Sequence, residues 1–189
     1  GELFNKGAQA MTFIAVDELK KRFPAHQILV LSELDLQRSK EEREQYAFQF
    51  IGWYPLKFAK CQTRPVLRTL CVLRSKYALG SNWSKETCNR YLDHLEFAEA
   101  FHIPIYLMPQ SFGPFDFRGR EGKKIEQRIR KLLPTVKTIY VRERKGYEEL
   151  KRKYCLNNVF LANDIVLNNS EIDLKNIYRK LPDMLLPDI

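Results

Sequence analysis

The stretch IPIYLMPQSFGPF, residues 103–115, runs from an apolar segment straight into a polar turn that carries a glycine and a proline. Residues 103–108 predict a buried strand, with Pro104 tolerated near its start. Residues 108–115 (MPQSFGPF) then present an amide, a hydroxyl and accessible backbone N–H groups where that strand stops. Open α/β sheets bind ligands outside the carboxyl ends of their strands. An ordinary strand-to-loop exit uses the same residue types, since Gly and Pro punctuate any turn.

The flanking sequence repeats the pattern. Downstream, residues 121–133 predict a helix that stops at Pro134, and residues 138–141 (TIYV) a strand that ends on Arg142, Glu143 and Arg144. A second helix follows with Tyr147, Leu150 and Tyr154 facing inward, then a strand over residues 158–162 that closes on Asn163 and Asp164. Upstream, residues 77–84 read as a polar loop, with Ser84 capping a helix over residues 85–101 that turns Tyr91, Leu95, Ala98 and Phe101 to the core. Residues 7–23 predict the first helix, with Met11, Ile14, Ala15 and Leu19 on one face, and residues 27–31 (QILVL) a strand. Between these halves lie a polar excursion with Ser39 as a helix cap, an apolar aromatic run at residues 50–55, and a helix over residues 56–73 despite Pro65. Strands alternating with helices imply a parallel sheet with helices on both faces, an α/β fold. Polar residues then gather on one sheet edge: Gln110 and Ser111, Arg142 and Glu143, Asn163 and Asp164.

Composition narrows the class. The 189 residues, 44% hydrophobic and 29% charged, suit one soluble core without repeats or disorder. The opening GELF has no basic start and no apolar core, so no signal peptide is expected in it, and no apolar run approaches the length of a membrane span. Cys61, Cys71, Cys88 and Cys155 form no C-x-x-C pair, which points to reduced thiols in a cytoplasmic protein. No His, Cys or carboxylate cluster has metal-ligand spacing. A net charge of +9 calls for an anionic partner: a nucleic acid, a phosphorylated small molecule or an acidic membrane surface. Much of the excess lies in residues 118–130 and 142–153, which equally read as solvated helix faces.

Four segments resemble the polysaccharide pyruvyl transferases: NKGAQAM at residues 5–11, YALGSNW at 77–83, MPQSFGPF at 108–115, and VRERKGYEEL at 141–150 followed by ANDIVL at 162–167. The resemblance implies transfer of the pyruvyl group of phosphoenolpyruvate to a sugar of a cell-surface polysaccharide as a ketal. The donor is phosphoenolpyruvate, the acceptor a glycan or lipid-linked saccharide, and no cofactor is implied. The site would be cytoplasmic, with room for peripheral contact with the anionic inner face of the membrane, and no nucleic acid is expected as partner. Family members pair two Rossmann-like domains in the manner of B-type glycosyltransferases. This chain resembles the first, with residues 1–167 as a Rossmann-like N-terminal domain whose opening strand is trimmed or missing, and 168–189 as a linker or the start of a second domain. Nothing after Asp164 matches the family's Arg-x-His motif, so the chain by itself is expected to be weak or inactive.

On that reading Arg142 grips a carboxylate or phosphate bidentately, where the alternative is a salt bridge to Glu143. Gly7 at the start of the first helix offers N–H groups to an anion, and Asn5 and Gln9 hydrogen-bond sugar hydroxyls, where the alternative is local capping. Gln110, Ser111 and Gly113 position substrate, and Asp164 orients or deprotonates an acceptor hydroxyl, where the alternative is a turn cap. His26, His94 and His102 read as structural. A nucleotide-sugar-dependent glycosyltransferase domain would share the fold and the basic edge. A non-catalytic anion- or nucleic-acid-binding domain would share the charge, although no recognisable nucleic-acid motif is present.

Overall fold

A computed structural model describes residues 3–52, 76–78, 85–113, 115, 117–167 and 171–180. Its contacts gather into two compact units, Gly1–Val66 with Ile165–Ile189, and Leu67–Asp164.

In the first unit, helix α1 (Lys6–Arg22) is started by Asn5 and ends at Phe23, one residue before Pro24. Strand β1 (Leu29–Leu31) follows, then the short helix α2 (Lys40–Glu44) and strand β2 (Gln49–Ile51). Ser39 caps α2 as expected, in a reciprocal box with Glu42. The aromatic run beginning at Phe50 thus opens as a strand, and β1 and β2 pair in parallel, Val30 opposite Phe50. Leu3, Val16, Val30, Tyr46, Phe48 and Ile177 form the core. Residues 171–180, expected as a linker or the start of a second domain, bring Ile177 into that core, and Tyr178 stacks on Tyr46 with ring centroids 5.4 Å apart. Buried Asp17 holds the same segment through Asn176 Nδ2, which donates to Asp17 Oδ1 at 2.8 Å. The helix expected at residues 56–73 lies outside the described residues.

The second unit alternates strand and helix: β3 (Lys76–Ala78), α3 (Lys85–Ala100), β4 (Ile105–Gln110), α4 (Gly119–Leu132), β5 (Thr138–Val141), α5 (Arg144–Arg152) and β6 (Val159–Leu161). Its four strands are parallel and lie in chain order, β3-β4-β5-β6. This is the expected α/β, Rossmann-like arrangement. Tyr77 and Ala78, expected in a polar loop, instead pair with Tyr106 and Leu107 in β3, a strand too short to show a period of its own. Ile105, Leu107, Ile139, Val141 and Val159 are buried. Cys88, Leu92, Leu95 and Ala98 give α3 its inward stripe, and Ile125, Ile129 and Leu132 give α4 its own. Of the four residues expected inward on α3, Leu95 and Ala98 are buried, and Tyr91 and Phe101 are half-buried. Arg128 of α4 ties the two helices, donating to Asn89, Asp93 and Glu96 at 2.7–3.1 Å. Burial pushes the Cys88 thiol up to about 12, so it is an inert core group. Among the described residues no helix is long and apolar enough to cross a membrane.

Candidate functional site

The strand that begins the site starts and ends two residues later than its apolar residues suggest. β4 runs to Gln110, so Pro109 lies within it. A proline has no N–H to give to a neighbouring strand, and the β4–β5 register shifts between Leu107 and Gln110. Beyond the shift the ladder recovers: Arg142 N donates to Gln110 O at 3.1 Å. That bond aligns the end of β4 with the end of β5. Gln110 is 3% exposed, and its Oε1 is buried without a hydrogen-bond partner. A buried acceptor left unmatched costs about 1–3 kcal/mol.

Three strand ends meet around Arg142. Its Nε donates to Ser111 Oγ at 2.9 Å and to Glu143 Oε1 at 2.7 Å, and Ser111 Oγ in turn donates to the same Glu143 oxygen at 2.6 Å. Its Nη1 donates to Asp164 Oδ2 at 2.6 Å. Among the described residues nothing accepts from Nη2. Burial works against the guanidinium charge, but the bonds from Glu143 and Asp164 outweigh it and hold the Arg142 pKa above its ordinary value. The cation is therefore permanent, oriented on two sides, and 26% exposed along its side chain. The structure thus brings Ser111, Arg142 and Asp164 together, and the salt bridge between Arg142 and Glu143 is formed.

The turn after Ser111 is held by α5. Gly113 has φ +76°, a left-handed conformation, and Glu149 Oε2 occupies the place a Cβ would take. Phe115 N donates to Glu149 Oε1 at 3.2 Å, and Lys153 Nζ donates to Phe115 O at 2.9 Å. At Gly146 a Cβ would lie 2.7 Å from Phe112 O, so the loop reaches the helix only because that side chain is absent. Gly146, Glu149 and Lys153 were not singled out as functional by sequence. Their spacing of three and four residues is the signal that was available, since it places them on one helical face.

In the first unit, Asn5 Oδ1 accepts from Gly7 N at 2.9 Å and from Ala8 N at 3.2 Å, and Gln9 N donates to Asn5 O at 2.8 Å. Asn5 is thus the N-cap of α1, and the Gly7 N–H assigned to an anion is engaged by that cap. Gln9 is half-buried on α1. His102, at φ 53°, is the left-handed residue that ends α3: His102 N donates to Glu99 O and Ile103 N to Ala98 O. That is a Schellman closure, a structural role. Residues 79–84, with most of the YALGSNW segment, lie outside the described residues.

Comparison with curated proteins and with solved structures gives no match. A family model does match, over residues 5–187, which take in α1, β4, the MPQSFGPF turn, Arg142 and Asp164. With nearly its whole length so matched, the chain belongs to the polysaccharide pyruvyl transferase family.

Proposed function

We propose that this chain serves the transfer of a pyruvyl group from phosphoenolpyruvate to two hydroxyls of a sugar, as a ketal. The observation that carries the reading is the Arg142 cluster at the ends of β4, β5 and β6. It is a permanent, partly exposed cation, fixed by Asp164 and Ser111, with its Nη2 edge unengaged among the described residues. A planar guanidinium of this kind matches a carboxylate or a phosphate, and phosphoenolpyruvate carries both.

In the reaction the enol carbon of the donor gains a proton and becomes a methyl group. One sugar oxygen bonds to the neighbouring carbon and the second displaces phosphate. One hydroxyl proton balances the new methyl C–H and the other leaves on phosphate. Negative charge builds on the departing phosphate, where a fixed cation is most effective. Arg142 takes the anion in this scheme. Gln110, at the end of β4, helps to set the position of the turn that carries Ser111. Asp164, already paired with the guanidinium, orients Arg142.

Calorimetric titration with phosphoenolpyruvate tests this independently of turnover. Saturable binding is expected, weakened about tenfold or more in Arg142→Met, as befits loss of a charge-assisted pair. Saturable binding of a sugar nucleotide, with none of phosphoenolpyruvate, would overturn the reading.

A further inference from the structure

The group nearest to Arg142 Nε is a carboxylate of the protein itself. Glu143 Oε1 takes two donors at once, Ser111 Oγ at 2.6 Å and Arg142 Nε at 2.7 Å. These are the distances of charge-assisted bonds. The same oxygen thus sits where a hydroxyl and a guanidinium N–H converge, which is the donor set an incoming carboxylate or phosphate oxygen requires. Asp164 differs: it holds the Nη1 corner of the guanidinium, and its carboxylate is the less exposed, with 23% of the side chain accessible against 47% for Glu143. One acid is placed to orient the cation, the other to leave it.

We propose that Glu143 is an internal stand-in for the anionic ligand, occupying the Ser111–Arg142 seat until an external carboxylate or phosphate replaces it. The inference rests on Arg142 as the anion-binding residue. It adds that part of the affinity is masked, because binding must first displace Glu143. Backbone geometry permits the exchange: Glu143 is the N-cap of α5 and makes no side-chain cap bond, so its carboxylate can swing away without uncapping the helix. Ser111 Oγ then turns its proton to the incoming anion, and Arg142 keeps Asp164.

An unusual sign follows. Removing an acid from a binding site by an isosteric change tightens anion binding, and Glu143→Gln is expected to bind phosphoenolpyruvate and orthophosphate about two- to fivefold more tightly than the unaltered protein, the range set by a partly exposed ion pair. Glu143→Ala serves as the second variant, with the same sign expected, and circular dichroism verifies that both are folded. Ser111→Ala is expected to weaken both ligands. Unchanged or weaker binding in both Glu143 variants, while Arg142→Met still weakens binding, would overturn the stand-in role and leave the anion site intact. Binding that ignores Arg142 altogether would overturn the anion site and the stand-in together.

Discussion

An arginine side chain, a serine hydroxyl and a carboxylate are joined around Asp35 in the first unit and again around Arg142 in the second. Around Asp35 the cluster is closed. Asp35 Oδ2 accepts from Ser32 Oγ at 2.6 Å and from Leu3 N at 3.1 Å, and Oδ1 accepts from Arg38 Nε at 2.8 Å. Its side chain is fully buried and that of Arg38 is 14% exposed. Around Arg142 the same chemistry is left open: the acids are part-exposed, and one oxygen of Glu143 lies where a ligand oxygen would. Residue type does not separate structure from function here. Burial does, because a buried pair cannot exchange its partners with solvent or ligand.

Asp35→Ala is the largest test of that contrast. It strands Leu3 N–H, the Ser32 hydroxyl and a mostly buried guanidinium, and breaking a buried pair costs about 3–5 kcal/mol. Against a typical total stability of about 5–15 kcal/mol, the variant is expected to unfold far earlier in urea. A loss below about 1 kcal/mol, the range of exposed pairs, would erase the distinction between the two clusters.

Gly113→Ala divides the open cluster into its charges and its frame. The charges are part-exposed, but the loop is clamped, with Glu149 where a Cβ would stand and φ at +76°. A non-glycine residue in such a conformation costs about 1–3 kcal/mol. The expected result is a lowered melting temperature, partly recovered when Glu149→Ala removes the collision but not the backbone strain. A full recovery would show that the glycine is needed for space alone, and no loss at all would show that the loop is not clamped.

The sequence was most legible where elements are local. The β4 run, the TIYV strand, both long helices of the second unit and the Ser39 cap follow from apolar spacing, proline positions and capping chemistry carried by the residues themselves. Tyr77 and Ala78 in β3 were not legible, because a strand of three residues is made by its neighbour, β4. The same holds for Ile177, whose burial depends on α1 and Tyr46 far away in sequence. At the site, Arg142, Ser111 and Asp164 were readable because strand ends in a parallel sheet share an edge. The partnership of Ser111 with Glu143 was not, since it joins residues 32 apart. Asn5 shows the local case: its capping of α1 follows from adjacent residues and was legible as the alternative to a substrate contact.

Acid provides a finer probe of the closed cluster than truncation, because it removes charge without removing atoms. Burial pushes the Asp35 carboxyl up, but bonds from Ser32, Arg38 and Leu3 outweigh it and hold the pKa below its ordinary value of 3.8. Asp17 behaves alike: burial raises it, and Asn176 and Lys21 more than compensate. For a carboxylate held low in the folded state, the unfolded chain takes up the proton first. The stabilisation is therefore complete above the ordinary pKa and lost as pH falls through 3.8 toward the folded values. Each such proton gives a slope of about 1.4 kcal/mol per pH unit within that window. Urea unfolding followed at successive pH values should show a shallower acid limb in Asp35→Asn than in the unaltered protein, and again in Asp17→Asn. If neither substitution changes the slope, these two carboxylates are not what holds the first unit together in acid. The closed cluster would then owe its stability to packing around Asp35 rather than to its charge.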